Sequence, residues 1–148
     1  MIDNIFLANP EILSDNIIKE YLGLKEIKPQ ELSTINSLCE DLKKRFFYHH
    51  FFENYYLNYK IPQIGKEFDL LRIGEDVIVN IELKSEKLDN DKILKQLKRN
   101  YYYLSFLKKT IYCFTFVTDI DCNTLYFYNK ESDAIQEINI DFLIDITH

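Results

Sequence analysis

The sequence predicts a mixed α/β fold in which helices flank a central mixed β-sheet. Apolar residues recur at helical spacing in two segments, about residues 30–48 and 90–105. Two other segments, about 66–73 and 77–84, are apolar runs of strand length separated by a short turn. A helix that follows such strands can carry the chain across the sheet to a further strand, so we expect a layered α/β architecture.

The three helices are predicted from their start signals and apolar faces. Asn9-Pro10-Glu11 combines a capping side chain, a proline and an acid, so a helix is expected over 10–21. Pro29 begins a second helix over about 30–48. The segment 88–91 offers capping side chains for the third, over 90–105. The apolar face of that third helix comprises Ile93, Leu94, Leu97, Tyr101 and Leu104.

Strands account for most of the remaining sequence. Three central strands are predicted, and because short links join them they should be antiparallel neighbours. A polar turn near 119–123 separates two later strands. The predicted strands cover residues 55–61, 66–73, 77–84, 110–119 and 124–131, and a further strand or short helix falls within 135–146.

The composition is that of a globular chain. Its 148 residues are 47% hydrophobic, which suits one domain with one good core. We expect a single domain over 1–148, with a helical extension at 1–28 and the core at 29–148. The formal net charge of −6 disfavours a protein that simply coats nucleic acid, because an acidic surface repels phosphates. It is compatible with an enzyme that gathers carboxylates around a cation.

The chain carries no pattern typical of a membrane or secreted protein. No apolar run approaches the roughly 20 residues that cross a bilayer, and the first residues lack a basic start followed by an apolar block. Cys39, Cys113 and Cys122 are far apart and form no metal or redox motif. Reduced thiols of this kind predict a cytoplasmic protein.

Charged residues occur where the central strands should be apolar. Side chains alternate along a strand, so Glu82 and Lys84 share one face of their strand. If Glu75-Asp76 forms the preceding turn, paired residue numbers sum to 151 and Asp69 lies directly opposite Glu82, with Glu67 opposite Lys84. If the turn is one residue earlier, the sum is 149 and Asp69 lies diagonal to Glu82. Both registers cluster carboxylates beside one lysine.

This cluster indicates a metal site. Opposed carboxylates repel each other on burial, whereas Mg²⁺ prefers oxygen ligands and commonly takes one or two carboxylates. Lys84 would orient or deprotonate a water molecule, or stabilise charge on a phosphate. The combination predicts metal-assisted phosphodiester hydrolysis. The alternative is that each acid faces solvent, which is common for a single acid in a strand.

At these residues the chain resembles the PD-(D/E)XK nuclease superfamily. Glu67-Phe68-Asp69 matches the first acidic motif and Glu82-Leu83-Lys84 matches the E-x-K motif, and the likeness covers about residues 30–128. It implies a restriction-endonuclease-like core and a deoxyribonuclease activity. Phe68 stands where many members have proline.

The resemblance also implies a role for each matching residue. Asp69 and Glu82 would bind Mg²⁺ or Mn²⁺ with the Leu83 carbonyl as a further ligand, Lys84 would assist the nucleophilic water, and Gln96 on the following helix would complete the catalytic set. A related exonuclease subgroup has tyrosine where this chain has Asn100. Many members also place a glutamate on the first core helix, for which Glu40 and Glu53 are the candidates.

Two further interpretations remain open at the sequence level. The chain is similar to nuclease-like domains found at the N-termini of bacterial helicase or ATPase proteins, and it has no phosphate-binding loop of its own, so a motor partner would lie elsewhere. It would then be either an active nuclease or a silent binding module. A weaker interpretation is an interaction domain whose aromatic surface mediates dimerisation.

The helix at 90–105 carries residues that suit nucleic acid. Lys92, Lys95 and Arg99 fall at helical spacing and would contact a phosphate backbone, or would form an ordinary solvated face. The run Tyr101–Tyr103 would stack on bases, or at least two of the three would pack internally.

Overall fold

A computed structural model describes residues 5–7, 29–43, 55–119 and 122–147, and the predicted mixed α/β class is confirmed. The predicted helix over 10–21 lies outside the described residues. The elements are, in chain order, β1 (Ile5–Leu7), α1 (Pro29–Lys43), β2 (Tyr55–Ile61), β3 (Lys66–Ile73), β4 (Val77–Lys84), α2 (Asn90–Leu104), a 3₁₀ turn (Ser105–Leu107), β5 (Thr110–Thr118), β6 (Asn123–Asn129), β7 (Ala134–Ile138) and α3 (Ile140–Thr147).

The strands form one mixed sheet in which spatial order follows chain order. Strands β2 to β7 make six neighbours, and the three-residue β1, which the sequence did not predict, pairs with β2 at the edge. Strands β4 and β5 are parallel, and the other neighbouring pairs are antiparallel. A parallel pair requires a crossover connection, and α2 supplies it.

The helices cover both faces of the sheet and close two apolar cores. Buried Ile35 and Leu42 of α1, together with Leu143 of α3, pack on one face. Buried Ile93 and Leu97 of α2 pack on the other. We call these the α1-side core and the α2-side core. No helix in the described part of the chain has the length and apolar character needed to cross a membrane.

The hairpin of β3 and β4 forms as the register sum of 151 predicts. Leu70 pairs with Ile81 and Ile73 pairs with Ile78, which excludes the alternative sum of 149. The Gly74 amide donates to the Val77 carbonyl at 2.9 Å, closing the two-residue turn. Towards the C-terminus, a strand or a short helix was expected within 135–146. The structure has both there, β7 and α3.

In the hairpin of β2 and β3, the side chains that face one side of the sheet in one half of the hairpin face the other side in the other half. Leu57 and its partner Leu70 face the α1-side core, whereas Tyr59 and its partner Phe68 face the α2-side core. Regular alternation would keep residues two apart on one face. The exchange occurs at Asn58, which has a left-handed φ of 53°, and at the facing residue Asp69. The backbone therefore turns over at a position predicted to carry a metal ligand.

Candidate functional site

Strands β3 and β4 separate where the sequence placed the acidic motif. Their pairing stops at Leu70 and Ile81, although β4 continues to Lys84. Beyond that point the Asp69 amide donates to Glu82 Oε2 and the Leu83 amide donates to Asp69 Oδ2, each at 2.9 Å. Each carboxylate thus binds a backbone amide of the opposite strand.

This arrangement corrects the predicted pairing in two respects. Asp69 and Glu82 are close, as expected, but they are joined through side chain and backbone rather than as a regular ladder pair. Glu67 does not lie opposite Lys84 in the ladder; it is exposed and pairs with Lys60 of β2. The reason is the exchange of faces at Asp69, which turns the first half of β3 away from its regular register with β4.

Glu82 is a buried carboxylate with a full set of hydrogen-bond donors. Its side chain is 2% exposed. Oε2 accepts from the Asp69 amide and from Asn80 Nδ2 at 3.3 Å, and Oε1 accepts from Gln96 Nε2 at 3.1 Å. A buried ionised carboxylate is costly unless such partners satisfy it, so this residue is held in one position.

Among the described residues, Lys66 supplies a positive charge close to Glu82. Its ammonium lies 3.9 Å from Glu82 Oε1, and its side chain is 13% exposed. The same ammonium lies 4.9 Å above the centre of the Phe68 ring, a favourable cation–π contact. Lys66 and Phe68 are two residues apart on the outer half of β3, so the exchange of faces brings both of them to the side of Glu82.

A buried polar network extends from Glu82 towards α2. Asn80 Nδ2 also donates to the Leu70 carbonyl at 3.1 Å, and Asn80 Oδ1 accepts from Asn100 Nδ2 at 2.8 Å. Two buried oxygens nearby, Asn100 Oδ1 and Thr115 Oγ1, have no hydrogen-bond partner among the described residues. Thr115 lies opposite Glu82 in the β4–β5 ladder. Unpaired buried polar atoms are rare, so these two oxygens distinguish this network from an ordinary apolar core.

Cys113 lies beside the same network as a neutral thiol. It pairs with Asn80 in the β4–β5 ladder and is fully buried. Burial raises the pKa of this thiol, and the negative charge of Glu82 raises that pKa further. The neutral thiol therefore packs as a small apolar group.

Lys84 and the Leu83 carbonyl follow Glu82 directly along β4. Lys84 is half-buried on the same face as Glu82, and in the described part of the chain no group forms a hydrogen bond or ion pair with its ammonium. The amide and carbonyl of one strand residue point towards the same neighbouring strand. Because the Leu83 amide points at Asp69, the Leu83 carbonyl also faces the gap between β3 and β4.

The α2 residues divide between the site and solvent. Gln96 reaches Glu82, whereas Lys92, Lys95 and Arg99 are exposed on the outer surface of the helix. Of the three tyrosines, Tyr101 and Tyr103 pack partly against the α2-side core, and Tyr102 is 60% exposed. The expectation that at least two of the tyrosines pack internally is confirmed.

The candidate glutamate on the described part of the first core helix does not join the site. Glu40 is exposed on α1, which packs on the sheet face opposite to Glu82. Glu53 lies outside the described residues. A cavity of about 320 Å³, lined in part by Asp41, Phe116 and Ile138, also lies on the α1 side and does not include the acidic motif.

The donor atoms fit a hard divalent cation in type but are partly engaged. Asp69, Glu82 and the Leu83 carbonyl offer oxygen ligands, which Mg²⁺ and Mn²⁺ accept. The described residues contain no group of three or more His, Cys, Asp or Glu side chains that could hold a metal. Glu82 Oε1 already contacts Lys66 and Gln96, so a cation must replace one of them. The Lys66 contact, at 3.9 Å, is the longer of the two.

Sequence reasoning assigned no role in the site to four of its members: Lys66, Asn80, Asn100 and Thr115. Asn100 follows Gln96 by one helical turn and interrupts the apolar face of α2, a signal that was visible in the sequence. Thr115 lies in the interior of a strand whose other two threonines, Thr110 and Thr118, are at its ends. Lys66 gave no signal, because regular alternation assigns it to the face opposite Glu82.

The chain was also compared with proteins of known family or structure. No family model, no curated protein and no solved structure matches it.

Proposed function

We propose that this protein is a Mg²⁺-dependent nuclease with a restriction-endonuclease-like core, hydrolysing phosphodiester bonds in DNA. One observation supports this most strongly. Glu82 accepts a hydrogen bond from the Asp69 amide, and Asp69 accepts one from the Leu83 amide, where the two strands separate. Lys84, whose ammonium has no partner among the described residues, lies two residues from Glu82 on the same face. Resemblance to the PD-(D/E)XK superfamily supports the same assignment.

Each residue then has a defined task. Asp69, Glu82 and the Leu83 carbonyl would hold the cation, which would supply Lewis-acid polarisation of a phosphoryl oxygen. Lys84 orients the attacking water or stabilises charge on the phosphate. Gln96 positions Glu82 through the hydrogen bond to Oε1 and borders the substrate.

The nuclease proposal is tested with supercoiled, linear and single-stranded DNA in Mg²⁺, Mn²⁺ or EDTA. We expect metal-dependent cleavage that falls by about 10²-fold or more in Lys84→Ala and in Asp69→Asn. Lys87→Ala is the matched control, because Lys87 is an exposed lysine three residues beyond the motif. Equal cleavage by the wild type and both motif variants would indicate a contaminating enzyme and overturn the assignment.

A second candidate function is a nuclease-fold binding module without catalysis, working with a helicase or ATPase partner. The full set of donors on Glu82 favours it, since Lys66 already neutralises the carboxylate that a metal would need. In this case the acidic motif stabilises the fold rather than binding a cation.

Calorimetric titration with MnCl₂ separates the two candidates without relying on activity. A nuclease should bind Mn²⁺, lose binding in Asp69→Asn, and bind more tightly in Lys66→Met, where no ammonium competes for Glu82. Absence of Mn²⁺ binding in both the wild type and Lys66→Met would favour the binding module.

A further inference from the structure

The segment from Lys92 to Lys109 is strongly basic within an acidic chain. It contains six of the 18 Lys and Arg residues and none of the 24 Asp and Glu residues. This segment comprises most of α2 together with the turn that follows it. A local concentration of positive charge attracts polyanions even where the net charge is negative.

Five exposed side chains of this segment form one stripe. They are spaced alternately three and four residues apart, which places them along a single face of a helix. This face is opposite the buried residues Ile93, Leu97 and Leu104. We call it the α2 stripe, and its members are Lys92, Lys95, Arg99, Tyr102 and Phe106.

The α2 stripe changes from cationic to aromatic along its length. Tyr102 and Phe106 are 60% and 67% exposed, and their rings contact each other edge to face at 5.4 Å. Two large exposed rings at the end of a cationic row are unusual on a solvated helix. The neighbouring Lys98 does not belong to this surface, because its ammonium is bound to Asp133 at 3.1 Å.

We infer that the α2 stripe binds single-stranded nucleic acid, an inference that rests on the proposed nuclease function and narrows its substrate. The cations contact successive phosphates and the exposed rings stack on bases. Base faces are accessible only in an unpaired strand, so the rings favour single strands over duplexes. About 15 Å of helix separates Lys92 from Tyr102, enough for several contacts along one strand.

The order of residues in the α2 stripe also predicts how a bound nucleic acid is oriented relative to the acidic motif. Lys92 is close in sequence to Gln96, whose amide contacts Glu82. The cationic end of the stripe is therefore nearer the acidic motif, and the aromatic end lies farther away. A single-stranded nucleic acid bound along α2 would run from the aromatic rings towards Glu82 and Lys84.

Binding is measured in EDTA, so that the result does not depend on cleavage. The probes are fluorescent oligothymidylate of about 15 nucleotides, a single-stranded RNA of equal length and a matched duplex. We expect the single strands to bind more tightly than the duplex. The double variant Tyr102→Ala/Phe106→Ala should raise the Kd for single strands about tenfold or more. Lys95→Ala and Arg99→Ala should each reduce the steepness of the plot of log binding constant against log salt concentration by about 0.7.

Two matched controls isolate the stripe. Lys98→Ala removes a lysine of the same helix whose charge is already paired, and Ile64→Ala removes an exposed apolar side chain remote in sequence. Both should bind like the wild type. Equal affinity for duplex and single strands, or unchanged binding by the aromatic double variant, would overturn the inference.

Two further outcomes complete the test. Association with phosphatidylserine vesicles without binding to single strands would overturn the inference in favour of a membrane surface. Loss of cleavage in Lys84→Ala with intact binding in EDTA supports both proposals. If the wild type binds single strands in EDTA but never cleaves, the binding inference is supported and the nuclease proposal is refuted. If it cleaves but its binding does not depend on the α2 stripe, only the binding inference is refuted.

Discussion

Glu82 illustrates how a sheet holds a carboxylate in its interior. A charge leaves water at a high cost in free energy unless donors and an opposite charge replace the solvent. Here the donors come from β3, β4 and α2, and the opposite charge comes from Lys66. The residue therefore joins three elements, and its loss should affect the fold as well as any chemistry.

Replacing Glu82 by alanine should lower the free energy of unfolding by about 3–5 kcal/mol, because the Lys66 ammonium and two side-chain amides lose their common acceptor. Glu82→Gln, which keeps the shape and an acceptor oxygen, should cost less. Urea denaturation followed by circular dichroism measures both. The exposed Glu86→Ala is the control and should stay within about 0.5 kcal/mol of the wild type. An equal effect of the two alanine variants would contradict the interpretation.

Asp133 provides a test of pH dependence away from the site. Its hydrogen bond from Lys98 and then that from Tyr128 hold the pKa of the carboxyl below its ordinary value of 3.8. A depressed folded-state pKa means that the stabilisation is present above the unfolded-state pKa and is lost as pH falls through the folded-state value. Asp133→Asn should therefore have a lower free energy of unfolding than the wild type at neutral pH. This deficit should shrink below about pH 3.8.

The cause of that shift can be checked directly. Lys98→Ala removes the larger contribution, so the pKa of Asp133, followed by carboxyl-carbon NMR, should rise towards 3.8. The pKa of the Tyr128 phenol is raised to about 12, first by burial and then by Asp133. An unchanged Asp133 titration in Lys98→Ala would show that Tyr128 alone holds the carboxylate.

At the scale of elements, the β2–β3 hairpin determines what surrounds the acidic motif. Its inner half faces the α1-side core and its outer half is turned over at Asn58 and Asp69. In a regular hairpin Phe68 would share a face with Leu70, and Lys66 would be far from Glu82. The reversal instead delivers both Lys66 and the Asp69 amide to the carboxylate.

Asn58 should be sensitive to the shape of the side chain that replaces it. Its φ of 53° is left-handed, a conformation that glycine and asparagine tolerate and β-branched residues resist. We expect Asn58→Val to lose about 1–3 kcal/mol of unfolding free energy and Asn58→Gly to lose much less, as measured by urea denaturation. Equal losses in the two variants would show that the backbone conformation is not what matters there.

The strands and their order were predictable because their signals are local. The runs at 66–73 and 77–84 predict the lengths of β3 and β4, and the turn between them limits the register to two sums, of which the structure has 151. The face exchange had no such signal. Asparagine is common in ordinary loops and turns as well, so Asn58 alone did not identify a left-handed position inside a strand.

At the scale of the whole molecule, one sheet serves two cores. Leu38 of α1 and Leu97 of α2 are both fully buried, on opposite faces of the same strands. Neither layer can open without exposing the apolar face of the sheet beneath it. The two sides are therefore expected to unfold together.

Leu38→Ala and Leu97→Ala should each lower the free energy of unfolding by about 2–5 kcal/mol, the usual cost of a cavity in a packed core. Because the sheet is shared, circular dichroism and tyrosine fluorescence should give coincident urea transitions in both variants. Separate transitions in either variant would show that the two cores are independent.

The sequence by itself determined the order of the described elements from α1 to β6 and the common face of Glu82 and Lys84, and it limited the β3–β4 register to two possibilities, between which the structure decided. Alternation, helical period and turn chemistry are properties of neighbouring residues, so they can be deduced without the fold. Only the tertiary structure decided that Lys66 and Asn100 join the Glu82 network and that Asp69 bonds through its backbone. Those contacts depend on a reversal of strand faces and on a helix that crosses the sheet, and no single segment encodes either.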